Sequence, residues 1–487
     1  MGEERGSENK NMKFQNYINE AREQLKDWQD YIRRNKELKS AVSILYKIEK
    51  RKYKAYLVGG AVRDTILGVR SKDYDIATNM PMEELSKLFK TYDIGKSKDF
   101  GIVVVKEGGS NFEVAQFRTD GKYLDGRRPD SVEVTGSFED DAGRRDFTIN
   151  AMGLNSKGEI IDHFDGKKDI KNKVLKTVGD PYKRFGEDYL RMMRLARFSS
   201  KLDFDIEPDT KKAARKLSPN ITSLSPERVK EELLKSAAQS GDKFANYIKI
   251  LDELKILKHV LPEVMNLKWY RENLQFHPET RGEGGTVYSH VMAALKKSNT
   301  QDPIKNLAIL LHDIGKGVTY APKKGEGYPT YYRHAEKSIK LVNALADRLR
   351  LSNKERDAII FAVGNHMKFH KILDMRPSKV AKLVNDDNWD VLVAVGRADE
   401  FSRGDIFRHA GEFEKILDKA IKIKDKYGGT QEVKKRIKLV DGNHVMAITG
   451  MKAGPKLGDV IRKTANWIMD NDITDQKLID DYIRGLV

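Results

Sequence analysis

Residues 56–79 read YLVGGAVRDTILGVRSKDYDIATN. The apolar Tyr56-Leu57-Val58 reads as a short strand, Gly59 and Gly60 break it, and residues 61–67 suit a helix. A strand, a glycine pair and a helix start bring backbone N–H groups close to a phosphate. Arg63 adds a positive charge for that phosphate. After Gly68 the chain turns into Asp73-Tyr74-Asp75-Ile76-Ala77. Residues two apart on a strand face the same side, so Asp73 and Asp75 converge. Converging carboxylates bind hard cations such as Mg²⁺ through oxygen. Two such ions can clamp the attacking and leaving oxygens of a phosphoryl transfer. Alone, a glycine pair is a turn and a DxD is surface acid. Together, with Arg63-Asp64 between them, they are far more specific.

The pattern GG-x-x-RD-x-x-x-G followed by DxD-x-x-T resembles the head of class II nucleotidyltransferases of the polymerase β superfamily. That group contains the tRNA CCA-adding enzymes and the bacterial poly(A) polymerases. The resemblance implies that Asp73 and Asp75 hold Mg²⁺ and that Gly59, Gly60 and Arg63 hold a triphosphate. The family often has a third acid. Glu113, in NFEVAQFRTDGKYLDGRRPD, lies on a strand expected beside the DxD strand, and an ordinary strand carboxylate is the equal alternative. Residues 118–130 resemble the family's flexible loop, which helps the switch from C to A addition; a solvated loop is the plain reading. GRRDFTINAM, residues 143–152, matches the family's second motif. By that resemblance Arg145 and Asp146 read ribose hydroxyls, helped by Asn150, so the substrates are ribonucleotides. Residues 161–179 resemble the hinge from head to neck, with Asp162, Gly166 and Asp169 at the family's spacing.

Residues 184–206, RFGEDYLRMMRLARFSSKLDFDI, favour a helix. Asp188 lies three residues before Arg191 and Glu187 four, which puts them on one face with Arg194 a turn further on. A salt-bridged solvent face is the plain alternative. The match to the family's EDxxR motif implies base selection instead. Asp accepts from an amino group and Arg donates to a ring nitrogen or carbonyl oxygen; C and A share an exocyclic amine that U and G do not present in that pattern. Ser225-Pro226-Glu227-Arg228 opens another helix and is expected to cap and brace the neck.

Further on the chemistry changes. His290 is followed by His312-Asp313 in LLHDIGKG, then His334, then His366 and His370 in HMKFH, then Asp399 in GRADE. Their apolar flanks suit buried helices, and imidazole with a carboxylate makes a good metal ligand set. The order H…HD…D resembles the HD phosphohydrolase superfamily. HPET at 277–280 and Gly285-Thr286-Val287 match the form fused to some bacterial CCA-adding enzymes. By resemblance His290, His312, Asp313 and Asp399 hold one divalent transition metal (Ni²⁺, Mn²⁺, Fe²⁺ or Zn²⁺). His334, His366 and His370 are candidates for a second. Metal-activated water would attack a phosphoester such as a 2′,3′-cyclic phosphate on a damaged RNA end, with Lys316 neutralising phosphate. The alternative is a folded remnant that only binds RNA.

Composition agrees with a polyanionic partner: Lys plus Arg is 90 against 73 Asp plus Glu, a net charge of +17. There is no cysteine, hence no disulfide and no thiolate metal site, which fits a reducing cytosol. Without a long apolar run or a signal peptide, the expectation is a soluble cytoplasmic protein with no membrane partner. Residues 441–471, DGNHVMAITGMKAGPKLGDVIRKTANWIMDN, resemble the family's tail, with lysines and a helix start suited to the tRNA backbone.

The expected fold class is α+β: a head with a small mixed β-sheet, then an all-helical neck, HD body and tail. The expected divisions are an N-terminal helical extension at 1–35, expected to pack, a head at 36–171, a neck at 172–265, an HD domain at 266–430 and a tail at 431–487. The expected function is template-independent addition of CCA to tRNA from CTP and ATP. Three alternatives stay open: a poly(A) polymerase, a partial enzyme adding only CC or only A, and an HD phosphohydrolase whose head merely docks RNA. A homodimer stands among the states the sequence allows.

Overall fold

The computed structural model describes residues 28–71, 73–92, 101–121, 132–273, 277, 280, 284–322, 328–403, 411–427 and 440–487. Residues 1–27 of the expected N-terminal extension, most of the 118–130 loop and the first residues of the expected tail lie outside these. The chain divides into two compact units, residues 1–225 with 249–260, and residues 226–248 with 261–487.

In the first unit, β1 (Ala55–Val58), β2 (Asp75–Thr78), β3 (Thr91–Tyr92), β4 (Ile102–Glu107) and β5 (Ser110–Gln116) appear in that chain order. A small ladder of β6 (Arg118–Asp120) and β7 (Val132–Val134) follows, then β8 (Met152–Leu154) and β9 (Ile160–Asp162). Seven of these form one mixed sheet in the order β3-β4-β5-β2-β1-β8-β9. Only β2 and β5 run parallel, with Ile76 opposite Val114. Strand alternation does the sorting: Phe112 and Val114 of β5 point into the core while Glu113 faces water. Leu57 of β1 is fully buried, and truncating it to Ala costs about 2–5 kcal/mol.

The helix Lys36–Glu49 lays Leu38, Ala41, Ile44, Leu45 and Ile48 into this core. Asn35 caps it by accepting from the Leu38 N–H at 3.1 Å. Before it, the Trp28 indole donates to the Ser156 carbonyl at 3.0 Å. The described part of the N-terminal extension therefore packs against the head, as expected. The neck follows as Pro181–Glu187, Leu190–Leu202, Pro208–Leu217 and shorter turns. It is helical apart from a two-residue parallel ladder, β10 (Val174–Leu175) with β11 (Asp205–Ile206).

Among the described residues, the second unit is helical apart from the equally short ladder β12 (Ala321–Pro322) with β13 (Pro329–Thr330). Val287–Lys296, Pro303–Leu311, His334–Leu349, Asn353–Phe369 and Trp389–Ser402 pack around one centre. At its C-terminal end Gly442–Thr449, Pro455–Asn471 and Gln476–Arg484 enclose a separate small core of Val440, Val445, Leu457, Val460, Ile468, Ile479 and Ile483. Among the described residues no helix is long and apolar enough to cross a membrane.

Candidate active site and candidate metal centre

The head places its acids on adjacent strands. One step back from the Ile76–Val114 pair puts Asp75 and Glu113 side by side on the wet face. Asp73 was expected on the same strand, yet β2 begins only at Asp75. Asp73 reaches the site from the approach to the strand, where its carbonyl accepts from the Ser71 hydroxyl at 2.7 Å. Asp73, Asp75 and Glu113 all line one open cavity of about 550 Å³, with Glu37, Val104 and Phe112 among its walls. Neighbouring atoms strip water from the Asp75 carboxyl, and Glu113 and Asp73 add negative charge. Its pKa is raised in spite of the opposing Arg145 charge. Like charges held this close are a stored demand for a cation, which oxygen-ligated Mg²⁺ meets.

Gly59 caps the helix Gly60–Ile66 with φ of +68°, where a side chain would be strained. A Cβ there would also stand 3.3 Å from Nη1 of Arg145. The glycine turn and the second motif are thus in direct contact. Arg63, expected at the triphosphate, has its guanidinium beside the glycine turn, with Nη2 3.3 Å from a Cβ built at Gly60. It is buried, donating to Asp64 at 2.7 and 2.9 Å and to the Asn150 amide oxygen at 2.6 Å. It locks the turn onto the second motif and does not present its guanidinium to solvent.

The second motif is held by an ionic lattice. Asp141 accepts from Arg144 at 2.8 and 3.1 Å and from Arg145 at 3.0 Å. Asp146 accepts from its Phe147 N–H at 2.9 Å, from Asn150 at 3.1 Å, and from both edge nitrogens of Arg194 at 2.6 and 2.9 Å. Burial alone would raise the Asp146 pKa; Arg194 and the Asn150 bond more than offset it and bring it down to about 2. Phe198 lies beneath Arg63, Arg194 and Arg197, at 5.1, 5.4 and 4.5 Å from its ring.

Asp188 and Arg191 do not share one continuous helix face. The helix Pro181–Glu187 stops, Asp188 is extended, and a new helix runs Leu190–Leu202. Asp188 lies just before that second helix and accepts from the Leu190 N–H at 3.0 Å. Arg191 is buried and donates to Glu187 at 2.5 Å, to the Arg184 carbonyl at 2.8 Å and to the Arg144 carbonyl at 3.1 Å. The break follows from Asp188, whose side chain satisfies backbone donors better outside a helix than within it. Asp141 and Arg184 escaped sequence reading, although each sits three or four residues from a charge that was noticed, a spacing that signals pairing.

The second unit brings its histidines together. Ligand atoms of His290, His312 and Asp399 lie within 4.8 Å of one another, as do those of Asp313, His334 and His366. Asp313 joins the groups: Oδ2 is 3.3 Å from His312 Nε2 and 3.6 Å from His290 Nε2, while Oδ1 is 3.3 Å from His334 and 3.5 Å from His366. It bridges two clusters and does not belong to the first alone. His370 belongs to neither; its Nε2 meets Asp399 Oδ2 at 2.8 Å. Gly315 permits the approach, since a Cβ there would fall 2.0 Å from the His334 carbonyl.

The residues fit bound metal. His312, His334 and His366 each place Nδ1 against the carbonyl three residues earlier, at 2.8, 2.9 and 2.7 Å. That contact fixes the proton on Nδ1 and leaves the Nε2 lone pair facing the centre. His334 and His366 Nε2 stand only 3.1 Å apart, and two facing lone pairs need a cation or proton between them. Buried His312 Nε2, Asp313 Oδ1 and Asp399 Oδ1 make no hydrogen bond, which an ion would remedy. Burial opposes the charge of Asp313, but Lys316 and His312 hold its pKa well below the usual range. Burial likewise disfavours charged Lys316, and Asp313 at 2.8 Å with Glu272 at 2.6 Å overturn that and raise its pKa. Glu272, Arg403 on Asp399 at 3.1 Å, and His277 beside the His290 ring were not foreseen as site residues. Arg403 is four residues after Asp399 and was findable; Glu272 is far from Lys316 in sequence and carried no signal.

Three family models match: the poly A polymerase head domain over residues 55–176, the probable RNA and SrmB-binding site of polymerase A over 203–267, and the HD domain over 287–439. The CCA-adding enzyme of Ligilactobacillus salivarius is 48% identical over 41% of this chain and 49% of its own length. That of Streptococcus suis is 29% identical over 93% of this chain and 97% of its own. The strongest local matches thus span about half the length of those curated relatives. A crystal structure of the Bacillus stearothermophilus CCA-adding enzyme in complex with CTP is similar at a TM-score of 0.64 and 25% identity, over 92% of this chain and 96% of that one.

Proposed function

We propose that this chain, which belongs to the class II nucleotidyltransferases that carry an HD body, adds CCA to tRNA 3′ ends from CTP and ATP without a template. One observation carries the reading: Asp73, Asp75 and Glu113 face one cavity, with Arg145 linking that acidic cluster to the glycine turn. Both the head and HD domain families generally use divalent metals. In the head, Mg²⁺ held by Asp73 and Asp75 would neutralise charge on the reacting phosphate when bound. Glu113 orients that acidic pair. Gly59 and Gly60 let the triphosphate approach the backbone. Arg145, Asp146 and Asn150 read the ribose, and Asp188 with Arg191 and Arg194 choose the base. The tRNA 3′ oxygen forms a bond to the α-phosphorus, the bond to the β-phosphate oxygen breaks, pyrophosphate leaves, and the hydroxyl proton passes to solvent. The +17 charge supports a tRNA partner. Cytoplasmic residence fits both that partner and the cysteine-free sequence.

A second activity is favoured by the histidine centre. There His290, His312, Asp313, Asp399, His334 and His366 would hold divalent transition metal ions that activate water. The water oxygen bonds to phosphorus of a phosphoester as a P–O ester bond breaks, and the released oxygen takes the proton. His370 orients Asp399 through their hydrogen bond.

The deciding experiment supplies a tRNA ending at its discriminator base, Mg²⁺, and CTP and ATP separately and together, then sequences the new 3′ ends. Tails that stop at CCA are expected. A long A tail with ATP alone would shift the reading to poly(A) polymerase, and no addition would overturn it.

A further inference from the structure

The HD centre has a line of tyrosines beside it. Lys316 Nζ, which holds Asp313, lies 5.4 Å from the Tyr331 ring centroid. The Tyr331 ring is 6.0 Å from that of Tyr320, and Tyr320 is 5.6 Å from Tyr270. The rings are inclined at 59° and 50°, as in a packed aromatic cluster. Packing alone does not explain the outer member. Tyr270 and Tyr331 are half-buried and the Tyr331 hydroxyl donates to the Arg271 carbonyl, whereas Tyr320 is 46% exposed. Trp269, Val318 and Tyr332, adjacent to the cluster in sequence, are 75%, 56% and 83% exposed. Exposed apolar side chains mark a binding surface where they form one contiguous patch.

The underside of the cluster is fixed. The backbone at Gly317 packs beside Tyr270, where an added Cβ would make an ordinary contact with Tyr270 Cε2 at 3.5 Å. Tyr320 follows directly on the short helix Lys316–Thr319 that carries Lys316. One short segment therefore joins a phosphate-attracting centre to an exposed aromatic face. A phosphoester with an aromatic substituent meets both, and a nucleotide, whose base offers a flat π face, is of that form.

We propose that Tyr320, backed by Tyr331 and Tyr270, is a stacking platform for the nucleobase of a nucleotide whose phosphate is acted on at the histidine centre. The proposal rests on the phosphohydrolase reading and narrows its substrates to base-bearing esters, either free mononucleotides or RNA ends. Base-on-aromatic stacking contributes about 1–3 kcal/mol, so losing the ring should cost about 5- to 150-fold in kcat/KM.

The test uses full-length Mn²⁺-loaded protein. Hydrolysis of adenosine 2′,3′-cyclic phosphate, of glycerol 1,2-cyclic phosphate (which has no base), and of a short RNA with a 2′,3′-cyclic end is measured for wild type, Tyr320→Ala and Tyr320→Trp. The expected result is a selective loss on both base-bearing substrates for Tyr320→Ala, retention for Tyr320→Trp, and no change on the glycerol ester. Loss on the RNA alone would assign the platform to RNA ends; loss on both admits free nucleotides. Independently of activity, 5-iodouridine 3′-phosphate is photo-crosslinked to the same Mn²⁺-loaded protein and mapped by mass spectrometry, with a crosslink expected at Tyr320 or Tyr331. Equal rates for Tyr320→Ala and wild type on all three substrates would overturn the platform while leaving the hydrolase standing. No hydrolysis by wild type would remove the hydrolase reading, and the crosslink map would then decide the platform; crosslinks confined to other residues would end it.

Discussion

The two acidic centres of this molecule are built in opposite ways. In the head, Asp73, Asp75 and Glu113 are exposed on an open cavity and offer only oxygen. In the second unit, His290, His312, Asp313, His366 and Asp399 are buried, and nitrogen outnumbers oxygen. Exposed carboxylates can stay hydrated and repel one another mildly until a hard cation arrives with a nucleotide. Buried lone pairs have no water to turn to, so the residues of the second centre fit ions that stay bound. A metal that arrives with substrate needs an open site; a metal that stays is part of the fold.

The comparison breaks most readily at the head. Asp73→Ala with Asp75→Ala removes a metal worth several kcal/mol to the transition state, so CMP and AMP incorporation into tRNA should fall by about a thousandfold or more. Metal content of the second unit, counted by mass spectrometry, should not change. If incorporation survives, the catalytic assignment is wrong.

Stripping the buried centre should act on stability instead. Ions bound at about a thousand times their dissociation constant add about 4 kcal/mol, so a chelator should lower the Tm of the second unit by roughly 10 °C. Asp313→Ala, which removes the bridge, should lose ions from both clusters, whereas His370→Ala should keep them, because His370 lies outside both clusters and meets Asp399 and Glu400. A Tm indifferent to chelator and metal would mean the histidines are merely packed.

Base choice tests the buried arginine. Arg191→Lys keeps the charge but loses the planar fork that spans Glu187 and two carbonyls. Discrimination of CTP and ATP against UTP and GTP should drop about tenfold or more, read from competitive incorporation. Unchanged selectivity would place base reading elsewhere.

The smallest effect concerns acid. Asp146 has its pKa depressed from 3.8 to about 2. A depressed carboxylate stabilises the fold above its unfolded pKa and loses that contribution as pH falls through its folded pKa. The first unit should therefore lose about 2 kcal/mol between about pH 4 and pH 2 through this group. Asp146→Asn should flatten that segment of a urea-denaturation profile against pH; an unchanged slope would show that Arg194 does not hold the carboxylate ionised.

Much of this was readable in the chain. The strand, glycine pair and helix of residues 55–66 fall where the residue types put them, because φ freedom and apolar runs are local properties. Glu113 was legible as a neighbour of Asp75 because strand alternation fixes faces. The break at Asp188 was not, since helical spacing assumes a helix that continues; nor was the burial of Arg63, which depends on Asn150 far along the sequence.

Sequence by itself determined which chemistries were present: paired acids, a glycine turn, arginine-rich motifs and an ordered set of histidines. Residue types and short spacings suffice for that, being set by covalent structure and local conformation. Only the tertiary structure decided that Asp313 bridges two clusters, that His370 serves Asp399, and that Glu272 anchors Lys316. Those partners meet across helices distant in sequence, where packing and the demand of buried charge for a counter-charge choose the pair.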